Sequence, residues 1–150
     1  MAEFIHGNQS IHYELAGVRE FRLRTPVLLL HGNGEDMHIF DNMIAPLLGA
    51  KGFVLMDSRM QGESFSLDGG GEISYSAMAD DAAALMDELG INEYDIVGYS
   101  DGGIIALLMA MKSFKVRRFF TIGANTDPSG LTAKAVREIK NALRRGRCFQ

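Results

Sequence analysis

The sequence has a single cysteine, Cys148, and no apolar run long enough to cross a membrane. A lone cysteine cannot form an intrachain disulfide bond, which favours a reducing compartment. The longest apolar run, Ile104–Met111, is far shorter than a membrane span. Met1–His6 carries an acidic residue and lacks the apolar stretch of a signal peptide. We therefore expect a cytoplasmic protein with no membrane partner.

Positive charge and the common cofactor motifs are scarce as well. Fifteen basic side chains against nineteen acidic ones give a formal net charge of −4, which argues against a nucleic-acid partner. Gly32 and Gly34 follow an apolar run, but Met37 stands where a dinucleotide-binding fingerprint needs its third glycine. The sequence has no Walker A loop and no histidine or cysteine spacing typical of a zinc site. We expect no cofactor and no metal.

The pattern of apolar residues indicates one domain in which strands alternate with helices. Alternation on both sides of Gly7–Ser10 predicts an N-terminal β-hairpin. Continuous apolar runs predict strands that are covered on both faces. These runs are Pro26–Leu30, Gly52–Asp57, Tyr94–Gly98 and Arg118–Gly123. The order predicts an α/β fold with a doubly wound, mostly parallel sheet after an antiparallel hairpin.

Helical spacing of apolar residues predicts helices at Phe40–Leu48, Tyr75–Leu89 and Gly102–Lys112. Pro46 should disturb the second half of the first of these helices. A last helix follows Thr132, which is a candidate N-cap. At its far end, Arg144 and Arg145 suit the negative C-terminus, and Gly146 suits termination.

The most informative segment is Gly98-Tyr99-Ser100-Asp101-Gly102, between a predicted strand and a predicted helix. The pattern Gly-x-Ser-x-Gly in that place is typical of a nucleophile elbow. A serine at the tip of so sharp a turn needs a positive φ, and its neighbours have no room for a Cβ atom. We expect Ser100 to be a catalytic nucleophile, with Gly98 and Gly102 supporting the turn. The alternative is an ordinary turn serine.

A second motif, His31-Gly32-Asn33-Gly34, directly follows the predicted strand that ends at Leu30. A tight turn here would direct the Asn33 N–H toward the charge that develops on a tetrahedral intermediate. With the N–H of Asp101, it would form a two-donor oxyanion hole. We expect His31, Gly32 and Gly34 to support this loop, with His31 bonded to backbone rather than acting as a catalytic base.

These motifs occur in the order hairpin, His31–Gly34 loop, Asp57–Ser64 loop, Ser100 elbow, and in that order the sequence resembles the α/β-hydrolase family over nearly its whole length. The stretch from Gly98 to Asn125 is similar to the branch that includes valacyclovir hydrolase and related esterases. The resemblance implies that a small-molecule ester is cleaved through an acyl-enzyme on Ser100. It also implies the family's Asp-x-Arg-Gly-x-Gly-x-Ser loop, in which Met60 replaces the first glycine.

The acidic residues near these motifs receive separate interpretations. We expect Asp57 to hold its own loop, with Arg59 as its partner. Asp80, Asp81 and Asp87 are expected on the solvated face of a helix. The Asp101 carboxylate would lie beside the nucleophile, where it could attract a cationic group, so we hypothesise a preference for amine-bearing esters.

The resemblance further implies a triad in the order serine, acid, histidine, but none of the four histidines follows Ser100. The family's acid and base would lie beyond residue 123, so we expect a hydrolase core truncated after about six strands. Residues 1–126 would form the N-terminal part of that core. Residues 127–150 would form the start of a cap or a C-terminal helix. Three explanations stay open: a longer hydrolase, a shortened product with little activity, or a partner chain that supplies the missing half.

Truncation would leave the strand Arg118–Gly123 as an apolar edge of the sheet, and such an edge invites pairing with another chain. We therefore predict a homo-oligomer that forms through this edge or through the exposed flank of the last helix. Two functions follow from the sequence. The leading one is a serine hydrolase, and the alternative is a catalytically incomplete domain that acts in binding or assembly.

Overall fold

A computed structural model describes residues 2–18, 24–125 and 127–144 of the chain. Its strands are β1 (Ala2–His6), β2 (Gln9–Gly17), β3 (Val27–Leu30), β4 (Gly52–Met56), β5 (Phe65–Ser66), β6 (Tyr94–Tyr99) and β7 (Val116–Ile122). They form one sheet in the order β1-β2-β4-β3-β6-β7, and the short β5 pairs with β2. The strands β4, β3, β6 and β7 run parallel, whereas β1, β2 and β5 pair antiparallel. The predicted fold class is confirmed, with β5 as a seventh strand that the sequence pattern did not predict.

Within the described residues, four α-helices accompany the sheet: α1 (Asp41–Ile44), α2 (Tyr75–Glu88), α3 (Asp101–Lys112) and α4 (Ala133–Arg144). The single helix predicted over Phe40–Leu48 is instead three short pieces, because 3-10 turns at Met37–Phe40 and Ala45–Leu47 flank α1. Pro46 lies in the first turn of the last piece, where its missing N–H costs no hydrogen bond. The predicted end of the last helix at Arg145 and Gly146 lies outside the described residues.

The central strands β3 and β4 are buried on both faces, as their continuous apolar sequences require. In β3, Leu28 and Leu30 belong to the larger core, which includes residues of α2 and α3. Leu29 belongs to a smaller core on the other face, together with Met37, Phe40 and Ile44. The strand ends that carry the motifs therefore sit between two layers of helices.

The edge of the sheet beyond β6 is different. Among the described residues β7 pairs only with β6, and most of its side chains are exposed. The unpaired edge of β7 thus remains available for another strand.

In the part of the chain that the structure describes, no helix combines the length and the hydrophobicity needed to cross a membrane.

The loop 57–64, after β4, is fixed by two buried carboxylates. Asp57 accepts hydrogen bonds from the N–H groups of Met37 and Glu63, both at 2.8 Å. Arg59 forms a two-pronged ion pair with Asp81 on α2, at 2.6 and 2.8 Å. Asp81 is fully buried, so its predicted place on a solvated face is wrong, and Arg59 pairs with it rather than with Asp57.

Met60 occupies the centre of this loop with a φ of 60°, in the left-handed region. A side chain in that region costs about 1–2 kcal/mol relative to glycine, which is the family's residue here. The loop therefore keeps its conformation against a local strain.

We predict that Met60→Gly is about 1 kcal/mol more stable than Met60→Ala, because the strain that glycine relieves exceeds the extra entropy that glycine loses on folding. Urea unfolding of both variants measures the difference. Leu67 is the matched control, since it is exposed and its φ is not positive. There the alanine variant should be the more stable of the two. The same order at both positions would contradict the strain at Met60.

Candidate active site

Ser100 lies at the turn between β6 and α3 with a φ of 51° and a ψ of −117°. For a residue other than glycine this is a strained conformation. The turn is held on both sides: the Ser100 N–H donates to the Ile122 carbonyl at 2.7 Å, and the Gly103 N–H donates to the Ser100 carbonyl at 2.9 Å. Because its backbone is bonded in this way, the serine is fixed at the end of the strand.

The glycines around Ser100 are required by close backbone approaches. A Cβ atom on Gly98 would lie 2.3 Å from the Gly102 carbonyl oxygen, and one on Gly102 would lie 2.0 Å from that of Leu30. Gly103 is equally constrained, since its Cβ would lie 2.7 Å from that of Ala124. Gly103 had no predicted role, although the doubled glycine Gly102-Gly103 signals such a constraint. These contacts press the start of α3 against the ends of β3 and β6.

The His31–Gly34 loop adjoins the serine. A Cβ atom on Gly32 would lie 3.1 Å from the Ser100 Cβ. His31 is buried, and its Nε2 accepts the Ser58 N–H at 2.9 Å. The ring proton must then be on Nδ1, which donates to the Gly32 carbonyl at 2.7 Å. Both ring nitrogens are thus occupied by backbone.

The His31 hydrogen bond also sets the direction of the Asn33 N–H. The Gly32 carbonyl and the Asn33 N–H belong to one trans peptide, so they point in opposite directions. The Asn33 N–H therefore points away from the His31 ring, and it makes no hydrogen bond with the described residues. The Asp101 N–H, in the first turn of α3, is likewise unpaired in the part of the chain that the structure describes.

A cavity of about 340 Å³ lies beside Asn33 and Asp101. It is lined by Asn33, Gln61, Ile73, Ser74, Tyr75, Met78 and Asp101. Burial raises the pKa of the Asp101 carboxyl, although a hydrogen bond from Tyr75 and the nearby His31 oppose the rise. Burial, with the adjacent Asp101 charge, raises the pKa of Tyr75 to about 12. A neutral phenol and an acidic group thus share the wall of the cavity.

None of the four histidines forms a hydrogen bond with Ser100 in the described structure. His6 instead bonds to Asp81 at 2.8 Å, and His38 bonds to Asp41 at 3.2 Å. The structure therefore brings together the predicted serine, both predicted amides and the glycines, but within the described residues no histidine is bonded to the serine. Gln61 and Tyr75, which also line the cavity, had no predicted role at the site because only tertiary folding brings them there.

Comparison with known proteins places this geometry in a family. The family model for the alpha/beta hydrolase fold matches residues 25–146. The chain belongs to the α/β-hydrolase family.

Solved structures with the same fold are described as hydrolases. A thermophilic esterase from Thermogutta terrifontis is 25% identical with a TM-score of 0.70, over 91% of this chain and 48% of that one. A hydrolase from Pseudomonas aeruginosa PA01 is 20% identical with a TM-score of 0.78, over 95% of this chain and 52% of that one. Est816, described as an N-acyl homoserine lactone degrading enzyme, is 22% identical with a TM-score of 0.76, over 95% and 53%. This chain therefore spans about half the length of these structures.

Proposed function

We propose that this chain carries the nucleophile and the oxyanion hole of a serine hydrolase that cleaves carboxylic esters. The observation that carries the proposal is the strained Ser100 turn with two unpaired N–H groups, of Asn33 and Asp101, beside one cavity. The serine oxygen would attack the ester carbonyl, the bond to the alcohol oxygen would break, and the alcohol would leave with the serine proton; water would then hydrolyse the acyl-enzyme to the free acid and serine. Each pre-aimed donor of an oxyanion hole contributes about 3–4 kcal/mol to the stability of the transition state.

The acid and the base of the triad would come from chain outside these 150 residues or from a partner. Two observations support this step: no histidine follows Ser100, and the similar hydrolases are about twice as long. Without a base the serine hydroxyl is a weak nucleophile, and catalysis falls to what the oxyanion hole and binding provide. Since such residual turnover does not depend on the serine, covalent labelling is the sharper test.

We expect a fluorophosphonate probe to form one slow adduct on Ser100, because two free N–H donors would stabilise the attack even though no base activates the hydroxyl. Mass spectrometry of the intact protein and its peptides measures the adduct. Ser100→Ala should abolish it, whereas Ser113→Ala, at the end of α3 and away from the elbow, should keep it. No adduct on the wild-type protein, with no p-nitrophenyl acetate turnover above that of Ser100→Ala, would favour a binding domain instead.

For the substrate we propose an ester with an amine on its acyl group. The half-buried Asp101 carboxylate lines the cavity, next to the N–H that would hold the oxyanion. An ammonium group near the scissile carbonyl could pair with it at little cost in solvation. The similarity of Gly98–Asn125 to the valacyclovir hydrolase branch points in the same direction.

We predict that Asp101→Asn lowers the acylation rate ratio of alanine p-nitrophenyl ester to p-nitrophenyl isobutyrate by about tenfold. The two esters differ chiefly in the ammonium group, so the ratio isolates its contribution. In the wild-type protein the ratio should decrease as the pH is lowered, because the carboxylate then takes up a proton. Because burial raises the Asp101 pKa, this loss should be centred above 3.8, the ordinary value. The same ratio in both proteins would exclude the pairing.

The alternative function is assembly, and β7 is the observation that favours it. Phe119 and Phe120 are 47% and 63% exposed, on opposite faces of an edge strand. We propose that the occupant is a second copy of β7, paired antiparallel about a two-fold axis between these phenylalanines. Arg118 would then face Thr121, and Arg117 would face Ile122, so no arginine would face another. This pairing would give hydrogen-bond partners to the free backbone groups at the β7 edge and would place no two arginines opposite each other.

We predict a dimer at micromolar concentration in analytical ultracentrifugation, and a monomer for Phe120→Lys, because a charge at the centre of an edge opposes pairing. Phe114→Lys is the control, since Phe114 is fully exposed just before β7 begins and outside the pairing. A wild-type protein that sediments only as a monomer would exclude this assembly.

A further inference from the structure

Gln61 is a nearly buried side chain at the cavity wall to which the proposed chemistry assigns no role. It is 6% exposed. Its Oε1 accepts the Gly34 N–H at 2.8 Å. Because a backbone N–H can only donate, the carboxamide oxygen must face Gly34 and the amide nitrogen must face elsewhere.

The backbone that carries Gln61 is rigid. The Gln61 N–H donates to the Ser58 carbonyl, and the Ser64 N–H donates to the Gln61 carbonyl, both at 3.0 Å. The same loop is anchored by the Asp57 carboxylate and by the buried Arg59–Asp81 pair. The carboxamide is therefore held in place from β4 and α2, independently of the His31–Gly34 loop that it touches.

The hydrogen bond between Gln61 and Gly34 also restricts the backbone conformation of Asn33. His31 holds the peptide between Gly32 and Asn33, and Gln61 holds the peptide between Asn33 and Gly34. With the peptide planes on both sides fixed, Asn33 cannot rotate about its two backbone dihedrals without breaking a hydrogen bond. The direction of its N–H thus depends on both side chains.

The other end of the carboxamide is free. Within the described residues the Gln61 amide nitrogen has no hydrogen-bond partner, and the side chain lines the cavity beside Asn33 and Asp101. An amide nitrogen in that place can donate to an oxygen atom of a bound molecule. A site that supplies such a donor discriminates against molecules that lack the acceptor.

We propose that Gln61 positions the Asn33 N–H through its carbonyl and selects, through its amide, acyl groups that carry an acceptor oxygen near the scissile carbonyl. This inference rests on the proposed serine hydrolase function and adds to it a positioning residue and a substrate feature. It applies to keto-, amido- and alkoxy-substituted acyl groups alike, since the recognised chemistry is the acceptor.

Two substitutions separate the two roles. Gln61→Glu keeps an acceptor for the Gly34 N–H but loses the donor, whereas Gln61→Met keeps the length of the side chain and loses both. Amide hydrogen exchange of Gly34 tests the positioning. We expect exchange to be about tenfold faster in Gln61→Met and restored in Gln61→Glu. The Leu29 amide in β3 is the reference for global stability.

Acylation of Ser100 by p-nitrophenyl butyrate and p-nitrophenyl methoxyacetate tests the donor. The two acyl groups have the same length and differ by one ether oxygen. We expect Gln61→Met to slow acylation by both esters by at least tenfold, and Gln61→Glu to lower the methoxyacetate to butyrate ratio by about tenfold. A single-turnover measurement separates this rate from binding.

Each failure has its own signature. Wild-type exchange of Gly34 in Gln61→Met would overturn the positioning role, and an unchanged ester ratio in Gln61→Glu would overturn the donor role. If the wild-type protein is never acylated but Gly34 exchange still responds, the proposed hydrolase function fails while the positioning role is supported.

Discussion

The buried pair of Arg59 and Asp81 is the interaction on which the site depends. Asp81 has no exposure to solvent, and its charge is tolerated because Arg59 and His6 both bind its carboxylate. Breaking such a pair from one side leaves an uncompensated charge and costs about 3–5 kcal/mol. The pair fixes the loop 57–64, and this loop orients the His31 ring through the Ser58 N–H. Through these contacts α2, on one face of the sheet, sets the orientation of the peptide between Gly32 and Asn33 after β3.

The second constraint is the close approach of α3 to the ends of β3 and β6. Gly102 lies against the Leu30 carbonyl so tightly that no side chain fits. That approach brings the unpaired amide at the start of α3 next to the His31–Gly34 loop. The two N–H groups come from segments almost 70 residues apart, yet the parallel pairing of Leu30 with Gly98 sets their separation. The sheet thus sets the distance between the donors, and the close contacts of Gly102 with Leu30 and of Gly32 with Ser100 bring the two loops together.

The sequence predicted those parts of the molecule that obey a local rule. Continuous apolar strands, the glycines at Gly98 and Gly102 and the turn after Leu30 each follow from short-range sterics, and the fold class was correct. Asp81 was misplaced because a charged residue on an amphipathic helix is normally solvated, and its partner lies 22 residues earlier. The role of Gln61 was not predicted for the same reason, because it accepts a hydrogen bond from Gly34, which is 27 residues away. Tertiary pairing of polar groups leaves no periodic trace in a sequence.

Strain is unequally distributed in this structure, and its distribution bears on function. Two residues other than glycine have a positive φ among those described, Met60 and Ser100. Met60 adopts a glycine-like conformation in the middle of its loop. Ser100 is strained at the turn between β6 and α3, against Gly32 and next to Asp101, which lines the cavity. Because the two N–H groups of the proposed oxyanion hole are held by backbone and by the loop 57–64, the hole would form without a general base. A general base from outside these residues would then need to be placed only relative to the Ser100 hydroxyl.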